Sequence, residues 1–189
     1  MVLVQELTNL AAAFGLSTSA GLNAYIPLLV VALTARYSDL ITLREPWGAL
    51  TSGWVIGVLV ILLLIEIFVD KIPAVDSIND VIQTIVRPAA GAILFAASSN
   101  VISDIHPVLA LICGLVLAGG VHAVKATARP AITGLTGGAG NALVSTAEDL
   151  LSAVTSLLAV LYPVLLVILL ILCVLIIGWW LWRRQKSWT

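Results

Sequence analysis

The run LVILLLIEIFVDK, residues 59–71, sets two carboxylates and one cation at the end of an apolar stretch. Glu66 and Asp70 are four residues apart, so a helix carries them on one face. A carboxylate at membrane depth is expensive and is by default a functional hypothesis. Glu66 lies well inside the apolar run, where it could bind a cation or proton, or pair with Lys71 or Lys125 and fix helix packing. Asp70 and Lys71 stand near the end, within reach of headgroup level. A second constellation is His122, Lys125 and Arg129, spaced i, i+3, i+7. Histidine titrates near neutrality and could relay protons, or it could serve as a hydrogen-bonded packing residue. Lys125 and Arg129 read as topology anchors that meet lipid phosphates. Asp76 and Asp80 are one turn apart, with Asn79 between them and Arg87 two turns beyond Asp80. Paired acids of this kind can hold a divalent cation and a diphosphate in lipid-modifying enzymes, but those motifs need more acids, and a solvated helix face is the simpler reading. Glu148, followed by Asp149, forms another acidic pair that mirrors Glu66 and Asp70. No phosphate loop, zinc spacing or nucleophile elbow is present, so no cofactor is expected and the metal question stays open.

The remaining candidates lie in two similar stretches, GLSTSAGLN at 15–23 and GLTGGAGN at 134–141. Glycine costs about 1 kcal/mol against alanine in a helix, and in lipid every freed backbone group needs a partner. Ser17, Thr18, Ser19, Asn23 and Asn141 therefore have two readings. Small residues let another helix approach while hydroxyls bond across the contact. Alternatively the helix opens and its polar groups line a wet cavity. On the second reading the two stretches face each other at a polar centre and meet Glu66 and His122.

Elements that could position these residues follow from composition. The 189-residue chain is 61% hydrophobic and 10% charged, with mean hydropathy +1.14, where a soluble domain is about 25% charged. This is an all-α integral membrane protein forming one polytopic domain over 1–189. A span needs roughly 20 apolar residues, which predicts about six: 7–35, 50–69, 89–105, 107–124, 142–162 and 163–182. The first is interrupted by the 15–23 stretch. Residues 150–182 could also form one helix kinked at Pro163, leaving five. Between spans two and three, 74–87 reads as an amphipathic helix lying along the membrane surface, with Val75, Ile78, Val81, Ile82 and Ile85 on one face. A basic tail occupies 183–189. With six spans, Lys71, Arg87, Lys125, Arg129 and the tail share one side and only Arg36 and Arg44 fall on the other, which puts both termini in the cytoplasm. No cleavable signal peptide is visible, and the first span is expected to direct insertion. Cys113 and Cys173 sit in apolar runs and read as small hydrophobes. A net charge of -1 gives no hint of nucleic acid. The Arg-Pro-Ala echoes at 87–89 and 129–131 raise a duplication of two hairpins in the same orientation.

The segments FGLSTSAGLNAYIPLL, EIFVDKIPAVDSINDVIQTIVRPAAGA and HAVKATARP resemble the bacterial membrane proteins grouped as domain of unknown function 4126. The likeness covers about 10–150 and is most specific from DKIP to RPAAGA. It implies a small multi-span protein of a bacterial inner membrane and brings no activity or site residues. The residues themselves point first to a small transporter or channel, its lipid bilayer the certain partner, a small ion or molecule its substrate, and a homo-oligomer its assembly. A lipid-headgroup enzyme and a non-catalytic assembly protein are the alternatives.

Overall fold

A computed structural model describes residues 2–70, 73–99 and 106–186. Lys71 and the side chain of Asp76 lie outside the described residues, as do residues 100–105 and 187–189. Seven α-helices are described: α1 (Val2–Leu22), α2 (Tyr25–Tyr37), α3 (Gly53–Val69), α4 (Pro73–Ser99), α5 (Pro107–Thr136), α6 (Ala139–Leu161) and α7 (Pro163–Lys186). A short 3-10 turn, Trp47–Thr51, precedes α3. Four helices are long and apolar enough to cross a membrane: α4 over Asn79–Ser98, all of α5, all of α6, and α7 over Pro163–Trp180. The apolar helices α2 and α3 have 13 and 17 residues. At 1.5 Å per residue they measure about 20 and 25 Å, short of a hydrocarbon core of about 30 Å.

Large side chains point outward and small ones inward. Trp54, Ile61 and Phe68 of α3 and Ile168, Leu172 and Leu175 of α7 are exposed, while Ala13, Ala20, Ala24, Ala32 and Ala118 are fully enclosed or nearly so. Leucine gains nothing by leaving lipid, so helices associate through close packing and polar contacts instead. The tightest crossing joins α4 to α5. A Cβ at Gly114 would strike the Gly91 carbonyl, and one at Gly91 would strike Ala118 Cβ. Gly21 meets the Ala118 carbonyl and Val121, so α1 presses on α5 as closely.

The reading of 7–35 as one interrupted span is corrected. The break falls at Asn23–Ala24, and α2 folds back along α1. Leu40, Ile41 and Thr42, beyond α2, line a cavity with Gln5, Thr8 and Asn9 of α1, and Trp47 packs by Leu10 and Ala13. The start of α1 and the Arg36–Arg44 connection thus share one end of the bundle, contrary to an assignment that separates them. The surface helix at 74–87 is also corrected. It is the first half of α4 and runs on through Pro88 to Ser99. Its polarity is inverted relative to a soluble amphipathic helix: Val81, Ile82 and Ile85 are exposed, and Gln83 and Arg87 are 1% exposed. The α6–α7 boundary at Tyr162 makes 150–182 two helices.

The two Arg-Pro-Ala echoes occupy inequivalent places. Arg87-Pro88 lies within α4, which leads from the polar end of the bundle toward Ala97 and Ser98 beside the start of α1. Arg129-Pro130 lies near the end of α5, which leads the other way.

Candidate functional site

Four helix segments converge at the end of the bundle away from the start of α1, and each contributes charge. The last turn of α3 brings Glu66 and Asp70. The inward face of α4 brings Asp80, Gln83, Thr84 and Arg87, and α5 brings His122, Lys125 and Arg129. The first half of α6 brings Ser145, Glu148 and Asp149. Helical spacing explains the convergence: Asp80, Thr84 and Arg87 repeat at four and three residues along α4, as do His122, Lys125 and Arg129 along α5, so each set forms one stripe.

Arg87 Nη2 donates to Glu66 Oε1 at 2.9 Å, with both side chains 1% exposed. Arg87 Nη1 lies 3.3 Å from His122 Nδ1, and His122 Nε2 lies 3.1 Å from Thr84 Oγ1. A guanidinium only donates, so Nδ1 accepts and the imidazole is neutral, with its proton on Nε2 facing Thr84. The Thr84 hydroxyl in turn donates to the Asp80 carbonyl at 2.9 Å. Asp70 accepts from Asn79 Nδ2 at 2.8 Å and from Ser145 Oγ at 2.7 Å. Arg129 Nη1 donates to Asp80 at 2.8 Å, and its Nη2 is 3.7 Å from Asp70 and 3.8 Å from Glu148. Lys125 Nζ pairs with Glu148 Oε2 at 2.6 Å. Asp149 accepts from Asn23 Nδ2 at 2.9 Å. Among the described residues no cation stands within ion-pair distance of Asp149. Five described carboxylates therefore share three described cations.

Asn23 ties this cluster to the α1–α2 break. Its Oδ1 accepts the backbone amides of Tyr25 and Ile26 at 2.9 and 3.1 Å, capping α2, while its amide holds Asp149. One fully buried side chain thus satisfies the backbone freed by the break and a carboxylate at once. The other polar residues of 15–23 turn to packing within an unbroken helix. Ser17 donates to the Gly91 carbonyl on α4 at 2.9 Å. Ser19 is 2.9 Å from Ser152 Oγ and 2.7 Å from Ser156 Oγ on α6. Thr18 bonds its own helix at Phe14 and lines a groove against α7. The stretch 134–141 is the tight turn between α5 and α6, where Gly137 and Gly138 adopt positive φ of 62° and 88°. Glycine takes that conformation without the Cβ clash other residues suffer. Asn141, just after it, accepts from Thr133 Oγ1 at 3.0 Å. The two motifs do not face each other: Asn141 and the Asp149 that Asn23 meets are eight residues apart on α6, about 12 Å along the axis.

Glu66, His122, Asp70, Asp80, Arg87, Lys125, Arg129 and Glu148 are thus brought together, joined by Asn23; Asn141 borders them through Thr133, whose hydroxyl also meets the Arg129 carbonyl, while Ser17, Thr18 and Ser19 stand apart. Lys125 and Arg129 are buried in ion pairs, not displayed to lipid phosphates, because carboxylates on three neighbouring helices neutralise them. Asp80 is held by Arg129, and the side chain of Asp76, its partner in the metal reading, lies outside the described residues. Among the described residues no three His, Cys, Asp or Glu side chains are arranged to hold a metal ion. Sequence reasoning passed over Tyr25, Gln83, Thr84 and Ser145. For Gln83 and Thr84 the signal was present, since they share the α4 face of Arg87, but that face reads as solvated until its neighbours are known. Tyr25 and Ser145 carry no sequence signal.

Residues 10–184 match the family described as a domain of unknown function (DUF4126). The match covers most of the chain, which belongs to that family. No curated protein and no solved structure matches it.

Proposed function

We propose that this member of the DUF4126 family is a small transporter or channel of a bacterial inner membrane, moving a proton or small cation through the buried ionic cluster with Glu66 as the binding carboxylate. The observation that carries the reading is the imbalance of the cluster: five described carboxylates against three described cations, gathered among membrane-type helices. The excess of negative charge among the described residues is costly in a low-dielectric setting unless a mobile cation or proton shares it. A structural network would gain by matching its charges.

The test is flux. Purified protein in liposomes should conduct or exchange at least one of H⁺, Na⁺ and K⁺ above empty liposomes, and Glu66→Gln should reduce that flux at least tenfold. Wild-type liposomes no leakier than empty ones, or a Glu66→Gln protein matching wild type for every ion, would sink the reading. The non-catalytic assembly role is favoured by a different observation, the dry seam of Ser17, Ser19, Ser152 and Ser156, all buried and hydrogen-bonded. It anticipates no flux from either protein.

A further inference from the structure

We propose that Glu66 and Gln83 form a site for a monovalent cation, and that Arg87 is the built-in counter-ion which that cation displaces. The inference rests on the reading of the cluster as cation-handling and names the ligand class and the residues that hold it.

Only one oxygen of Glu66 is engaged. Oε1 takes Arg87 Nη2; Oε2 is sealed from solvent and has no hydrogen-bond partner among the described residues. Gln83 stands one turn before Arg87 on the same face of α4, and its Oε1 is also sealed and without a donor. Two sealed acceptors without a donor thus flank the Arg87 side chain. Buried acceptors in native proteins are nearly always partnered. A bare cation is a ligand that satisfies several oxygens together.

Arg87 is poorly secured for a buried guanidinium. Of its five donors, one reaches Glu66, one reaches His122 at the long distance of 3.3 Å, and Nε has no partner among the described residues. A bidentate grip would have used both Glu66 oxygens. The single-pronged contact leaves half the carboxylate open, and neutral His122 offers an acceptor on the far side toward which the guanidinium can withdraw. Exchange of a guanidinium for an alkali ion leaves the charge beside Glu66 unchanged, which selects a monovalent ligand. Divalent ions ordinarily take more than one carboxylate. Asp149, held by Asn23 in the same cluster, adds negative potential that favours any cation arriving there.

The test uses the full chain in lipid nanodiscs, titrated with LiCl, NaCl or KCl against choline chloride at constant ionic strength, with heat and thermal stability as readouts. One of the three ions should bind saturably at one per chain and raise the unfolding temperature. Gln83→Leu should weaken that binding at least tenfold, and Arg87→Gln should strengthen it at least tenfold by removing the competitor. Gln83→Glu, which keeps Arg87 in place, should also strengthen it if Arg87→Gln does not fold. Absence of saturable binding by all three ions overturns the site, as does Gln83→Leu binding within twofold of wild type. Saturable binding without flux leaves the site standing and removes the transport reading; proton flux without alkali-ion binding does the reverse.

Discussion

At the residue scale the Glu66–Arg87 pair sets the character of the molecule. Removing one member of a buried ion pair strands the other charge and typically costs about 3–5 kcal/mol, whereas removing both is far milder. Arg87→Met should therefore lower the detergent-solubilised protein's unfolding temperature sharply, and Glu66→Gln combined with Arg87→Met should recover a large part of the loss. Additive losses across the double-mutant cycle would mean that the two side chains are not coupled as a pair. Glu66 was legible in the sequence because a carboxylate after LVILLLI is anomalous there. Its partner was not, because Arg87 is 21 residues away and the sequence points first to Lys71 or Lys125. Lys125 is nearer to hand by simple span-end arguments; it pairs with Glu148, and the packing of α4 against α3 brings Arg87 to Glu66.

At the scale of the element, α4 carries the main lesson. Its alternation of apolar and polar residues is the same whether the polar face meets water or a charged neighbour, so periodicity alone defines two faces without saying which is outside. Here Val81 and Ile85 are 71% and 75% exposed and Gln83 is 1% exposed. A tryptophan at Ile85 should be quenched by lipids brominated along their acyl chains, and a cysteine at Gln83 should resist both aqueous and lipid-soluble thiol reagents. Quenching at Ile85 no stronger than with headgroup-confined quenchers would return α4 to the membrane surface. The α1–α2 break shows the same limit from another side. The glycines of 15–23 suggest an opened helix, yet Gly15 and Gly21 sit where α7, α6 and α5 press on α1, and the chain breaks where Asn23 can cap α2.

For the whole molecule, the α1–α2 fold-back fixes how the ends are distributed. Single cysteines at Gln5 and Thr42 should react with a membrane-impermeant maleimide added to one face of the membrane, and a cysteine at Leu135 only from the opposite face. Labelling of Gln5 and Thr42 from opposite faces would restore a single first span. α5, at 30 residues, is about 45 Å long, well beyond a core of about 30 Å. It links the small-residue end near Ala13 to the ionic end and carries the chain to the glycine turn at 137–138. The bundle is therefore polar at one end, alanine- and glycine-packed through its middle, and coated with large apolar side chains on its lipid-facing sides.

Composition and spacing by themselves determined that the chain is a membrane-type helical protein, where most helices lie, and that Glu66, His122, Lys125 and Arg129 fall on helix faces able to meet partners. These are local or summed properties, since hydropathy adds along a segment and a helical face follows from intervals of three and four. Tertiary structure alone decided that Arg87 serves Glu66, that Gln83 is buried with its amide oxygen sealed, that the serines of α1 bond to α4 and α6, and that the second glycine motif is a turn. Each of those outcomes depends on which helices are neighbours, and a buried charge or hydroxyl has several chemically equal partners until packing leaves one within reach.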